Sequence, residues 1–195
     1  MTIDLRMTLA TSVAALVMAG GVGTPSPRAA AQPMLAVQER VFPIPMSLVQ
    51  EHAEINTALT AAANLPGETG VAARRVLTLI TQHTKDEQRK VFPLLYVLPP
   101  LGKQEVEPWM AELLPLAERL RGDIDTIRRA HAPIRNALDE LNIVAWREGH
   151  EEYAFLALRI RQHLQMEEEI LYPAALVVGD YLRLKFPPPV TSSAP

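Results

Sequence analysis

One pattern of apolar and ionisable residues is written twice in this chain of 195 residues. Val76, Ile80, His83, Glu87, Val91 and Leu94 return 80 positions later as Leu156, Ile160, His163, Glu167, Leu171 and Ala174. Leu48, His52, Ile55 and Leu59 return 79 positions later as Ile127, His131, Ile134 and Leu138. An α-helix turns about 100° per residue, so the first of these sets falls within about 80° of arc. Each set therefore draws one stripe along one helix. The aromatic-proline step repeats as well, as Phe92-Pro93 and Tyr172-Pro173.

Proline and glycine divide the chain at Pro43/Pro45, Pro66-Gly67, Pro99-Pro100 with Gly102, and Gly149. Four helical segments remain, roughly 46–64, 68–98, 104–147 and 150–183. No Val/Ile-rich alternating run competes for strand. The expectation is an all-α fold over 46–184, an up-down-up-down four-helix bundle of two repeated helical hairpins. Residues 32–45 read as an N-terminal linker and 185–195 as a Pro/Ser-rich tail.

Six ionisable residues stand where Leu or Ile is expected: His52, His83, Glu87, His131, His163 and Glu167. One histidine on an apolar face is ordinarily a satisfied core residue. The set is different, because each Glu lies one turn from a His on the apolar side of its helix. A buried carboxylate costs several kcal/mol unless it is paired or metal-bound. No Lys or Arg shares the stripes at that level, although Arg135 lies one turn beyond His131. Residues i and i+4 are about 5–6 Å apart at Cβ, so His and Glu there can reach one cation or bridge two. Imidazole and carboxylate without thiolate favour iron, manganese or zinc over copper(I). Two divalent cations against two carboxylates leave room for a bridging hydroxide or oxide.

The motifs Glu51-His52-Ala53-Glu54-Ile55, His83-x-x-x-Glu87 with Val91-Phe92-Pro93, His131-x-x-Ile134, and His163-x-x-x-Glu167 with Leu171-Tyr172-Pro173 resemble the hemerythrin-like, or HHE cation-binding, family. The resemblance covers about residues 45–180. It implies two non-haem iron ions, a di-iron centre with His52, His83, Glu87, His131, His163 and Glu167 as ligands. It also implies dioxygen or another small diatomic molecule as the bound partner, with iron or oxygen sensing and the handling of nitric oxide or peroxide as related activities. The chain departs from the oxygen carriers of that family in two places. Arg135 stands where they have a second third-helix His, and their fourth-helix carboxylate aligns with Glu168, a rival to Glu167. Four His leave more positions open on the metals than five, which makes stable oxygen carriage less secure and redox turnover or labile iron binding more plausible. His150 does not restore the fifth ligand, being about 20 Å along the helix from His163.

Residues 1–31 carry Arg6, an apolar run over 7–23 and Ala29-Ala30-Ala31, the order of a secretory signal cleaved after Ala31, with an uncleaved membrane anchor as the alternative. That predicts an exported, periplasmic or secreted protein with no stable membrane insertion after cleavage. Nineteen basic and twenty-two acidic residues, with no basic stripe, argue against nucleic-acid binding. The absence of cysteine excludes disulfides, iron–sulfur ligation, thiolate zinc sites and cysteine nucleophiles. No phosphate loop is present and no Ser-His-Asp set is assignable from spacing. Three functions compete: an oxygen-binding di-iron protein, a di-iron peroxidase-like or nitric-oxide-handling enzyme, and a structural bundle holding zinc or nothing.

Overall fold

The structure is a computed structural model that describes residues 41–188. The leader expected over 1–31, its cleavage point and the end of the tail lie outside the described residues. Every regular element described is helical, in the order α1 (Met46–Ala63), α2 (Gly67–Lys90), α3 (Phe92–Tyr96), α4 (Leu98–Gly102), a 3₁₀ turn (Pro108–Leu113), α5 (Leu114–Arg129), α6 (His131–Glu148), α7 (Glu151–Met166), a π segment (Glu167–Leu171) and α8 (Tyr172–Lys185). No helix among the described residues is long and apolar enough to cross a membrane.

Helices α1 and α2 pack together, α2 packs on α6, α6 on α7, and α7 on α1, while α5 and α3 pack on α8. Two apolar clusters result. One joins Ile55, Leu59, Val76, Ile80, Ile134, Leu138, Ile160 and Leu164. The other joins Val91, Phe92, Leu94, Leu120, Ile124, Ile127, Tyr172 and Val178. Along the chain the clusters are visited in alternating order. Leu48 of α1 borders the second cluster and Ile55 belongs to the first; α2 begins in the first and runs out to Val91 in the second. The α5–α6 stretch returns to the first, and α7–α8 goes back again. Each crossing passes one or two of the six ionisable residues, which therefore form a polar layer between two apolar ones.

The turns have local causes. Gly149 ends α6 in the left-handed region (φ 76°), and the His150 N–H then reaches the Ala145 carbonyl at 2.8 Å. Glu151 and Glu152 follow in the first turn of α7, where negative charge suits the helix dipole. The N-terminus of α2 has no cap of its own. Glu148, at the far end of α6, accepts the Glu68 and Thr69 N–H groups at 2.8 and 2.9 Å instead.

Three expectations about the segments are corrected. The 68–98 segment is not one helix: α2 stops at Lys90, and the chain re-enters helix at Phe92. The 104–147 segment opens with a 3₁₀ turn and breaks at Ala130, directly before His131. Both breaks lie two or three residues ahead of a proline, Pro93 and Pro133, whose ring has no N–H and collides with the carbonyl four residues back. In the fourth segment Pro173 is met differently. The π segment absorbs one extra residue, and the Tyr172 N–H bonds to the Glu167 carbonyl. The apolar stripe slips by one at that point. Tyr172, Ala175, Val178 and Leu182 are buried, while the expected Leu171 and Ala174 are only half-buried.

Candidate metal centre

Each of the six residues is carried into the core by its stripe, one turn from apolar neighbours that fix its helix. His52, His83, Glu87, His131, His163 and Glu167 are all buried, the two carboxylates completely. The structure brings all six together. The four imidazoles turn their Nε2 atoms inward as two pairs, His52 with His163 at 3.0 Å and His83 with His131 at 3.3 Å. Glu167 lies between the pairs. Its Oε1 is 2.6 Å from His163 and 3.6 Å from His52, and its Oε2 is 3.4 Å from both His83 and His131. Two three-residue groups able to hold a metal ion follow, His52–His163–Glu167 and His83–His131–Glu167.

Glu87 is not the equivalent of Glu167, as the repeat alone implies. Its Oε2 reaches His83 at 3.2 Å and His52 at 3.7 Å, but it falls in neither three-residue group. Its Oε1 accepts a 2.7 Å hydrogen bond from the Tyr172 hydroxyl. The rivalry between Glu167 and Glu168 has a geometric outcome. Glu167 is the carboxylate inside the layer, and Glu168 stands outside it, accepting the His131 Nδ1–H at 2.7 Å and a 2.8 Å ion pair from Arg135. Glu51 does the same for His163, accepting its Nδ1–H at 3.1 Å. A carboxylate on Nδ1 orients the ring and raises the basicity of Nε2, which is what a metal-binding imidazole needs.

The carboxylates of the layer favour positive charge on two of its histidines. Burial opposes a charged His83, yet hydrogen bonds to Glu167 and Glu87 outweigh it and push its pKa up to about 10. Burial also opposes a charged His163, and Glu167 again overrides it, raising that pKa. Burial pushes the Glu167 carboxyl up, but together the hydrogen bonds from His131, His163, His52 and His83 outweigh it and hold it well below the usual carboxylate range. At both His83 and His163 the neighbouring carboxylates thus favour positive charge, as they would favour a cation. The layer is still incompletely satisfied. His52 Nδ1 is buried without a hydrogen-bond partner, a state that native interiors avoid, and Glu87 Oε2 and Glu167 Oε1 have only histidine nitrogens beside them. A cation between the inward-facing atoms would satisfy the two carboxylate oxygens, so the donor set fits a His/Glu metal site.

One cavity borders this layer at His83. It has a volume of about 350 Å³ and lies between α2 and the α5–α6 joint, with Gln82, Asp86 and Lys90 on one wall and Ile127, Ala130 and Pro133 on the other.

Sequence reasoning misses two contributors, Glu51 and Tyr172, and names Glu168 only as a rival ligand, not as the partner of His131 Nδ1. Glu51 adjoins a candidate ligand, about 100° off its stripe, and so reads as solvated. Tyr172 enters the layer only through the π segment. Comparison with protein families, curated proteins and solved structures returns no match.

Proposed function

We propose that this chain is an exported hemerythrin-like protein with a non-haem di-iron centre, and that it binds dioxygen or a related diatomic ligand there. In this reading the helices form an up-down-up-down four-helix bundle of two repeated hairpins. The observation that carries it is the sharing of Glu167, one oxygen toward His52 and His163 and the other toward His83 and His131. A carboxylate so placed suits two adjacent cations, and the repeat in the sequence accounts for there being two halves. His52, His163, His83 and His131 would hold the metals, Glu167 would bridge them, and Glu87 would complete the set. Iron held there supplies reversible electron donation to a small ligand. The chain's own contribution is to orient the imidazoles through Glu51 and Glu168, to exclude bulk water with the apolar clusters on either side, and to admit small molecules along the cavity at His83. Export rests on residues 1–31 alone.

The full-length protein, loaded with ferrous iron without air, is expected to hold about two iron ions per chain by elemental analysis. The His83→Ala/His163→Ala double variant is expected to lose most of them. A parent that takes up no iron would reject the di-iron reading and leave a zinc site or a purely structural core.

A second reading has its own support. Arg135 is committed to Glu168 at 2.8 Å and faces away from the layer, so no fifth imidazole or substitute closes the site from that helix. Open positions favour turnover of peroxide or nitric oxide. Reductant-dependent peroxide consumption by the parent, lost in His83→Ala, would select this reading over carriage.

A further inference from the structure

The two halves of the layer are related by the repeat, and one of the positions at which they differ is an aromatic one. Phe92 and Tyr172 are counterparts, each following its Glu by five residues and each preceding a proline. Both side chains are fully buried. Their rings lie against counterpart histidines, Phe92 on His52 with centroids 5.2 Å apart and Tyr172 on His131 at 5.7 Å. Only Tyr172 carries an oxygen, and that oxygen is inside the layer. It stands 2.7 Å from Glu87 Oε1 and 3.0 Å from His131 Nε2.

A buried tyrosine needs one hydrogen-bond partner, and Glu87 supplies it. The second contact is what packing alone does not require. His131 Nε2 is the atom turned toward His83 and Glu167, and the phenol oxygen is closer to it than Glu167 Oε2 is, at 3.0 against 3.4 Å. Two donors each about 2.1 Å from one cation stand about 3.0 Å apart when they subtend a right angle. The backbone is built for this placement. Five residues along a regular α-helix leave residue 172 about 140° from residue 167. The i→i+5 bonding of the π segment brings Tyr172 back over Glu167, and single π turns inside helices gather at functional sites.

We propose that Tyr172 is an oxygen donor to the metal held by His83, His131 and Glu167, and that Phe92 leaves the half at His52 and His163 one donor short. The inference rests on the metal reading above and makes its two halves chemically unequal. On loading, the phenol O–H bond breaks, a metal–oxygen bond forms, and the proton is released to the buffer, as for other ligands that bind deprotonated.

The test is spectroscopic. The full-length protein is loaded with ferrous iron, then oxidised with ferricyanide at one equivalent per iron. The ferric parent is expected to show a visible phenolate-to-iron charge-transfer band, with tyrosinate ring modes in resonance Raman excited within it. Tyr172→Phe is expected to lose both. A parent with two iron per chain and no tyrosinate modes would overturn the inference alone, as would an unchanged spectrum in the variant. If the variant binds no iron, the parent's ring modes decide the matter. A parent without iron would overturn the metal reading and this inference with it.

Discussion

Glu167 is the residue on which the layer depends most, since it alone faces all four imidazoles. On the di-iron proposal, Glu167→Gln keeps the shape and removes the charge, so both metals should be lost together, with iron per chain falling by more than half. Glu168→Gln acts through His131 only. It should leave two metals bound and weaken affinity by about 10–100-fold, as loss of an outer carboxylate typically does. Competition with a chelator separates the two outcomes, and equal losses would mean that Glu168 is itself a ligand. The same charges set the pH response of the metal-free protein. Folded His83 titrates near 10 instead of 6.5, so the folded state binds the extra proton between those values. Its stabilisation is complete below 6.5 and is lost as pH rises toward 10. Glu167 is lowered from 4.5, so its stabilisation is present above that value and lost as pH falls through the lowered one. Thermal unfolding of the chelated protein should therefore give its highest midpoint between about pH 4.5 and 6.5 and a steady decline above it. A midpoint that rises over the alkaline limb would contradict this. At this scale the six stripe residues were legible because an ionisable group at an apolar position stands out. Glu51 was not, because a Glu one residue off the stripe looks like any solvated Glu, and Glu168 was legible only as a rival ligand.

Among the elements, α2 is fixed most tightly at its start. Gly67 has φ 85° and faces the Glu148 carboxylate, and a Cβ on Gly70 would stand 2.0 Å from the Leu65 carbonyl oxygen. That oxygen is backbone and cannot step aside. Gly70→Ala should destabilise the protein by at least about 2 kcal/mol, at the upper range of overpacking costs. Gly122, within α5, has open space around the same position. Gly122→Ala should instead stabilise by roughly 0.5–1 kcal/mol. Denaturant unfolding of the two variants beside the parent checks both signs at once. The ends of α2 and α6 were readable from Pro66-Gly67 and Gly149, since turn glycines act where they stand. The breaks at Val91 and Ala130 were harder to place. A proline removes a bond to a carbonyl four residues upstream, so the break precedes the residue that causes it. For Pro173 the response was a π segment rather than a break, and nothing in the local sequence distinguishes the two. The one-residue slip that buries Tyr172 in place of Leu171 follows from that choice.

Across the whole molecule, an incompletely satisfied polar layer separates two apolar clusters, and each helical path crosses it. Repeat and stripe made that layering visible in the sequence, because every path changes from apolar to ionisable and back at one level. The difference between the halves stayed hidden, since Phe92 and Tyr172 look interchangeable as aromatic core residues. The layer also makes folding and metal binding one equilibrium. Unfolding scatters His52, His83, His131 and His163 over more than a hundred residues of chain, so a cation that bridges them binds the folded state almost exclusively. At a free metal concentration of about 100 times Kd, linkage adds about 2.7 kcal/mol to stability. For a domain of this size that is roughly 5–10 °C in unfolding temperature. The chelated parent should therefore melt lower than the loaded parent by about that margin. In the His83→Ala/His163→Ala variant the two curves should coincide, because one imidazole is gone from each half. A metal-dependent shift that survives the double substitution would place the cation elsewhere in the chain. The absence of any shift in a parent known to hold metal would mean that the unfolded chain binds it as well as the fold does, which a layer built from four separate helical paths does not allow.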